Sequence, residues 1–274
     1  MKNLRRWWWL GVLAALLLAP SLAPAEMYVE AYGGGVQAAN DPVSFNQRPV
    51  VGISFTASTP GKFNPAVMGG VKFGTWFVRE GFLGCNYPDW AKYFGAYIDI
   101  SFHSLNLRKE FGTNRLVIDG FPSTSVNSSF DEGNVFTFAF MFAARYGFCP
   151  DSVAPFGRLQ PYIAVGPALM WVTFKEPTFV PFVYGPPAIA GKQIAAGADH
   201  DFTIGLVAET GIRWMALKNV SLDLSFKYRY CRPDFTFGYS NPFNVFTLGG
   251  APGTVNLKRE LHLFSAHLGV AYHF

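Results

Sequence analysis

The sequence predicts an all-β protein: a closed antiparallel transmembrane β-barrel of eight strands, with ten strands as the alternative. Three observations predict it. Half of the 274 residues are hydrophobic and 17% are aromatic, yet beyond residue 25 no stretch is long and uncharged enough for a transmembrane helix. Eight segments instead alternate apolar and polar residues with the two-residue period of a strand. The connections alternate in length: those near 38–65, 108–131, 175–200 and 233–256 are long, whereas those near 80–90, 148–157 and 217–219 are short. In lipid only helices and closed barrels satisfy their backbone polar groups, and a barrel strand needs only about 9–11 residues. A soluble sandwich also alternates, but its outward face would be polar. Here the polar face is the one rich in Gly, Ala and Ser.

The chain opens with Lys2, Arg5 and Arg6, an apolar stretch from Trp7 to Ala19, and Ala23-Pro24-Ala25 as a small-residue cleavage site. That is the layout of a secretory signal peptide. Residues 1–25 are therefore expected to be removed, leaving 26–274 as the barrel. The whole chain has 22 Lys and Arg against 18 Asp and Glu, and three of the cations lie in the leader, so the remainder carries 19 against 18. A charge this close to balance gives no footprint for nucleic acid or an acidic substrate. Three cysteines are too few for a dense disulfide scaffold.

Along the chain, the first strand runs from Met27 to Gln37, weakened by Gly33, Gly34 and Gly35, and the second from Val71 to Phe77. In the third, Phe94, Ala96, Ile98, Ile100 and Phe102 oppose Gly95, Tyr97, Asp99, Ser101 and His103. The fourth, "VFTFAFMFAARY" from Val135, puts Phe136, Phe138, Phe140, Phe142 and Tyr146 on one face, which suits lipid better than a small soluble core. The fifth spans Leu159 to Trp171, with Ile163, Val165, Leu169 and Trp171 outward. In the sixth, Phe202, Ile204, Leu206, Ala208, Ile212 and Trp214 oppose Thr203, Gly205, Glu209, Gly211 and Arg213. The seventh, "VSLDLSFKYRY" from Val220, sets its apolar residues against Ser221, Asp223, Ser225, Lys227 and Arg229, and the eighth closes the chain with "LFSAHLGVAYHF". "RPVVGISF" at 48–55 is either a further barrel strand or an extension above the membrane. Long loops on one side and short turns on the other are the pattern of an outer-membrane barrel.

Together "YIDIS" at 97–101, "PYIAVGPAL" at 161–169, "GIRWMALKNVSLDLSFKYRY" at 211–230 and the terminal "LGVAYHF" resemble the OmpA-like, opacity-type outer-membrane β-barrel family. The resemblance covers most of the chain after the leader and is specific for architecture rather than activity. It implies an outer-membrane location, outer-membrane lipids as surroundings, and a terminal signal read by the barrel-assembly machinery at Leu268, Val270, Tyr272 and Phe274. The chain departs from the OmpA pattern in showing no peptidoglycan-binding domain after the barrel, so cell-wall anchoring is not implied.

Asp99, Arg145, Glu209, Arg213, Asp223, Lys227 and Arg229 all fall on inward faces. Eight strands leave an interior that side chains can fill, so these residues are expected to form a lumenal ion-pair network that plugs the barrel. A small porin-like channel lined by them is the alternative. A lipid-binding or lipid A-modifying barrel is also weighed, because some barrels of this size act on acyl chains with serine and histidine. His262 and Ser265 face opposite sides, while Ser265 and His267 share the lumenal face, away from lipid; no catalytic residue is assigned. Asp199, His200 and Asp201 in "ADHD" read as solvated loop groups rather than metal ligands, and no cofactor or metal is expected. Cys85 and Cys149 lie in turns on the same side and form a candidate disulfide, with Cys231 unpaired at the opposite end of a strand. The aromatic loops at 179–191 and 234–250 either pack together as a cap or present a surface ligand site. A monomer with a structural or surface-interaction role through its long loops is the reading these features support.

Overall fold

The computed structural model describes side chains for residues 26–40, 61–78, 87–106, 133–174, 199–236 and 258–274, and the strand course of further segments between them. Residues 1–25, expected from the sequence to be a cleaved leader, lie outside the described residues. Eight antiparallel strands close into one barrel. They are β1 (Glu26–Ala38), β2 (Ala66–Trp76), β3 (Phe94–Asn106), β4 (Glu132–Arg145), β5 (Leu159–Phe174), β6 (Asp199–Met215), β7 (Val220–Cys231) and β8 (Leu261–His273). Each pairs with its neighbour in sequence, and β1 closes on β8 in a register that sets Tyr28 opposite His273 and Ala38 opposite Leu263. The eight segments read from the sequence are these eight strands. The stretch at 48–55 belongs instead to two strands, Val43–Val50 and Ile53–Thr59, which join Thr113–Ile118 and Phe121–Val126 in a separate four-stranded sheet. The ten-stranded alternative is thereby excluded: these strands pair with one another rather than with the barrel.

Residues 77–93, 146–158 and 216–219 connect strands at one end, and 39–65, 107–131, 175–198 and 232–260 connect them at the other. Glu26 and Phe274 sit at the short-connection end, where the Phe274 amide donates to the Met27 carbonyl at 2.9 Å.

The barrel is inverted relative to a water-soluble protein. Phe136, Phe140 and Phe142 on β4, Ile163, Val165 and Leu169 on β5, Leu222, Leu224 and Phe226 on β7, and Leu268 and Val270 on β8 are all exposed on the outer wall. A continuous apolar belt of this kind is untenable in water and matches the hydrocarbon of a bilayer. The inward positions carry the charges, and glycines there make room for rings. A Cβ at Gly70 would lie 2.5 Å from the Tyr32 ring, at Gly74 2.6 Å from Tyr28, and at Gly211 2.7 Å from Tyr162. Tyrosines thus lie flat across glycines of the adjacent strand and thicken the filling of the lumen.

Candidate functional site: a packed, charged lumen

At the middle of the barrel four carboxylates meet three cations. Lys72 Nζ on β2 lies 2.7 Å from Glu30 Oε1 on β1 and 2.7 Å from Glu209 Oε1 on β6. Arg213 reaches Glu30 Oε2 at 2.6 Å and Asp223 Oδ2 at 3.4 Å. Lys227 on β7 pairs with Asp99 on β3 and lies 3.2 Å from Glu209 Oε2. Tyrosine hydroxyls add to these pairs: Tyr32 donates to Asp99 at 2.5 Å and Tyr97 to Glu209 at 3.1 Å, and the Tyr162 hydroxyl lies between Glu209 and Asp223, at 2.7 and 2.8 Å, with one proton to give to one of them. Every charged member is buried. Buried charges are tolerated when paired and hydrogen-bonded, and this cluster gives every charge an opposite partner by drawing on six of the eight strands, while Arg213 Nε and Nη1 and Asp223 Oδ2 make no hydrogen bond among the described residues.

Side chains continue to fill the lumen below and above this cluster. Toward the short connections, Arg145 makes a two-pronged bond to Glu26 at 2.6 and 2.5 Å and donates to Gln160 at 3.0 Å. Its guanidinium is sandwiched between the Trp76 and Phe156 rings, 4.0 and 4.2 Å from their centroids. Toward the long connections the interior is mainly apolar: Val135, Val172, Phe174, Cys231, Phe235, Leu261 and Leu263 are all buried, Phe174 packs edge-on against Phe235 at 5.1 Å, and the buried Arg259 guanidinium lies 4.3 Å from the centroid of the Phe63 ring.

All seven charged residues expected in the lumen are buried there, but they do not form one network. Asp99, Glu209, Arg213, Asp223 and Lys227 join the central cluster. Arg145 pairs separately, because it ends its strand one layer beyond the cluster, beside Glu26. Arg229 has no carboxylate partner among the described residues; its side chain contacts Ser101 and Ser265 Oγ and Met68 Sδ, each at 3.3 Å. Glu30 and Lys72, central members, were not among the expected residues. Their signal was present in the sequence, since Tyr28, Glu30 and Tyr32 alternate with Val29 and Ala31, and Lys72 sits between Val71 and Phe73.

Ser265 Oγ and His267 Nε2 are 3.2 Å apart, and Ser225 Oγ is 2.7 Å from His267 Nδ1. Both members of the pair are buried in the lumen, so no acyl chain on the outer wall reaches them. His262 lies on the other face, against the Tyr228 hydroxyl at 2.8 Å. Asp199 and Asp201 accept backbone N–H bonds from Thr236 and Asp234 at 2.7 and 2.8 Å, docking the start of the last long connection onto β6. Cys149 is exposed with a free thiol and Cys231 is buried with a free thiol; Cys85 lies outside the described residues, as do the loop stretches 184–188 and 240–252. The four terminal residues Leu268, Val270, Tyr272 and Phe274 share the outward face, and the Tyr272 and Phe274 rings meet edge-on at 5.2 Å.

No family model matches the chain, and no curated protein sequence does. Among solved structures it is similar to Neisserial surface protein A at 12% identity, covering 90% of this chain and 97% of that one, with a TM-score of 0.44. It is also similar to the outer membrane protein OprG from Pseudomonas aeruginosa (11% identity, 92% and 97% covered, TM-score 0.42) and to the outer membrane protease OmpT from Escherichia coli (8%, 94% and 99%, TM-score 0.42). The class rests on the chain's own architecture: a closed antiparallel eight-stranded barrel with a lipid-suited exterior is an outer-membrane-type β-barrel.

Proposed function

We propose that the protein is a non-conducting scaffold of the outer membrane, working through the long segments that join its strands on one side. The observation that carries this is the filled lumen. The Arg145–Glu26 plug, the central ion pairs and the apolar cap follow one another along the axis, and a water-filled path needs a gap in all three. The charged residues then serve the barrel's integrity rather than transport. Function falls to the connections at 39–65, 107–131, 175–198 and 232–260, and the aromatic runs within the last two suit contact with a surface ligand or a neighbouring envelope component. Export would rely on the leader at 1–25, and assembly on the terminal Leu268, Val270, Tyr272 and Phe274. The test is electrical: purified protein in planar bilayers should give no unitary conductance. Stable, reproducible channel steps from the native chain would refute the scaffold reading. For the terminal signal, deleting Phe274 should reduce the yield of assembled barrel in membranes, and unchanged assembly would remove that role.

A lipid-binding role is the second reading, favoured by one feature of the outer wall. Thr75 and Ala96 form a low step between Phe73, Ile98, Phe140 and Phe142, leaving an apolar groove of about 300 Å³ that also touches Phe274. A phospholipid acyl chain is the natural occupant of such a groove. Native mass spectrometry of gently extracted protein should then show a discrete retained lipid, absent from an Ala96→Phe variant; loss of all lipid from the native chain under the mildest extraction would overturn it.

A further inference from the structure

We infer that the groove on the outer wall holds a zwitterionic phospholipid with a phosphoethanolamine headgroup, gripped at the rim by Asp89 and Lys92. The inference rests on the lipid-binding reading above and adds the headgroup to it. The groove lies near the short-connection end: Ala96, on its floor, is the third residue of β3 and is opposite Phe142 on β4. An acyl chain seated there brings its glycerol and phosphate to the rim, two to three strand residues or ~7–10 Å further on.

A single 3₁₀ turn, Asp89–Tyr93, sits at that rim directly before β3. Trp90 is 65% exposed and its ring meets Phe94 edge-on at 6.0 Å, and Phe94, Ala96 and Ile98 continue as one outward row into the groove. On the other flank Tyr93 stacks on Tyr146 at 5.9 Å, and Tyr146 ends the outward row of Phe140 and Phe142. The turn therefore stands on the outer rim beneath the groove, within the aromatic girdle that marks the headgroup level of a barrel.

The charges on this turn define the headgroup. Residues i and i+3 of a 3₁₀ helix eclipse, so Asp89 and Lys92 lie side by side on one face, both exposed. Lys92 Nζ lies over the Tyr93 ring at 5.4 Å rather than against a carboxylate. An acid and a base side by side match a phosphate and an ammonium joined by two carbons: the phosphate accepts from Lys92, and the ammonium donates to Asp89. A phosphoglycerol headgroup offers the phosphate alone and leaves Asp89 facing a like charge. A phosphocholine keeps both charges but has no N–H to donate.

The experiment is native mass spectrometry of the full chain released gently from vesicles of phosphatidylethanolamine, phosphatidylglycerol and phosphatidylcholine, mixed equally with identical acyl chains. The expected result is one retained lipid, with phosphatidylethanolamine enriched about fivefold over phosphatidylglycerol. That ratio is about 1 kcal/mol, the scale of exposed charge pairs. Asp89→Asn and Lys92→Gln, both at exposed positions, should keep a lipid and lose the enrichment, whereas Ala96→Phe should lose the lipid itself. A lipid retained in the proportions supplied, a preference for either other headgroup, or an enrichment that survives both rim variants would overturn the headgroup inference and leave the groove reading standing. A native chain that retains no lipid, or that forms a lipid-free dimer, would overturn both.

Discussion

Replacing Lys72 by methionine tests whether the central cluster holds the barrel together. The substitution keeps an unbranched side chain, one atom shorter, and removes the charge that bridges Glu30 and Glu209, each at 2.7 Å. Breaking a buried pair by removing one partner costs about 3–5 kcal/mol, most of it from the charge left behind. Here Glu30 and Glu209 lose a close partner and Asp223 one at 4.0 Å, but none is orphaned: Glu30 keeps Arg213 at 2.6 Å, Glu209 keeps Lys227 at 3.2 Å with the Tyr97 and Tyr162 hydroxyls, and Asp223 keeps Arg213 at 3.4 Å. The lower end, about 3 kcal/mol, is therefore expected. Removing a carboxylate as well, in Lys72→Met with Glu209→Gln, restores the balance and should recover at least about 1 kcal/mol of that loss, within the range of coupling between contacting residues. Equilibrium unfolding in urea from detergent micelles, followed by tryptophan fluorescence and by gel mobility, reads both quantities. A loss under about 1 kcal/mol, as for exposed ion pairs, together with strict additivity in the double variant would show that the interior is hydrated like a surface, and the plugged-lumen argument would fall.

Gly74→Val places a Cβ 2.6 Å from the Tyr28 ring and should cost about 1–3 kcal/mol through overpacking or prevent closure, whereas Gly35→Ala, which meets nothing within 4 Å, should fold normally; equal behaviour of the two would refute the tyrosine-over-glycine filling. Asp199→Ala with Asp201→Ala removes two carboxylate-to-amide bonds that dock the last long connection, each worth about 1 kcal/mol. Limited proteolysis should then cut faster within 232–260 while β1–β8 stay protected, and an unchanged cleavage rate would argue against the docking role.

The barrel was legible because a membrane inverts the usual pattern without changing its period. In β4, β6 and β7 the outward run is almost wholly aliphatic and aromatic, so each face can be assigned residue by residue, and every inward charge named from sequence is buried. The glycine-rich β1 and short β2 were the faint elements. Their inward sites carry Glu30 and Lys72, where the alternation holds locally but is interrupted a few residues away by Gly33, Gly34 and Gly35 on β1 and by Gly69 and Gly70 on β2. Which cation meets which carboxylate was not legible at all. Arg213 and Glu30 are 183 positions apart, and Lys72 and Glu209 are 137 apart. Such meetings depend on the stagger of closed strands, which periodicity within one strand does not encode.

That dependence gives the charged interior a reason beyond cohesion. A buried ion pair stabilises no better than well-packed apolar groups of the same volume, so strength alone does not explain eight strands closing around four acids and three bases. Register does. A slip of one residue between neighbouring strands turns each inward side chain outward, and a lysine or arginine facing the bilayer midplane costs about 2–4 kcal/mol. On β7 a slip would send Asp223 and Lys227 into lipid together and bring Leu222, Leu224 and Phe226 against the buried carboxylates. An apolar lumen would tolerate the same slip almost without penalty, because both faces would then be alike. The ion pairs are therefore best understood as the feature that makes one closure of β1 on β8 far cheaper than its neighbours, and the Lys72→Met chain should assemble with more mispaired material than its loss of stability alone would produce.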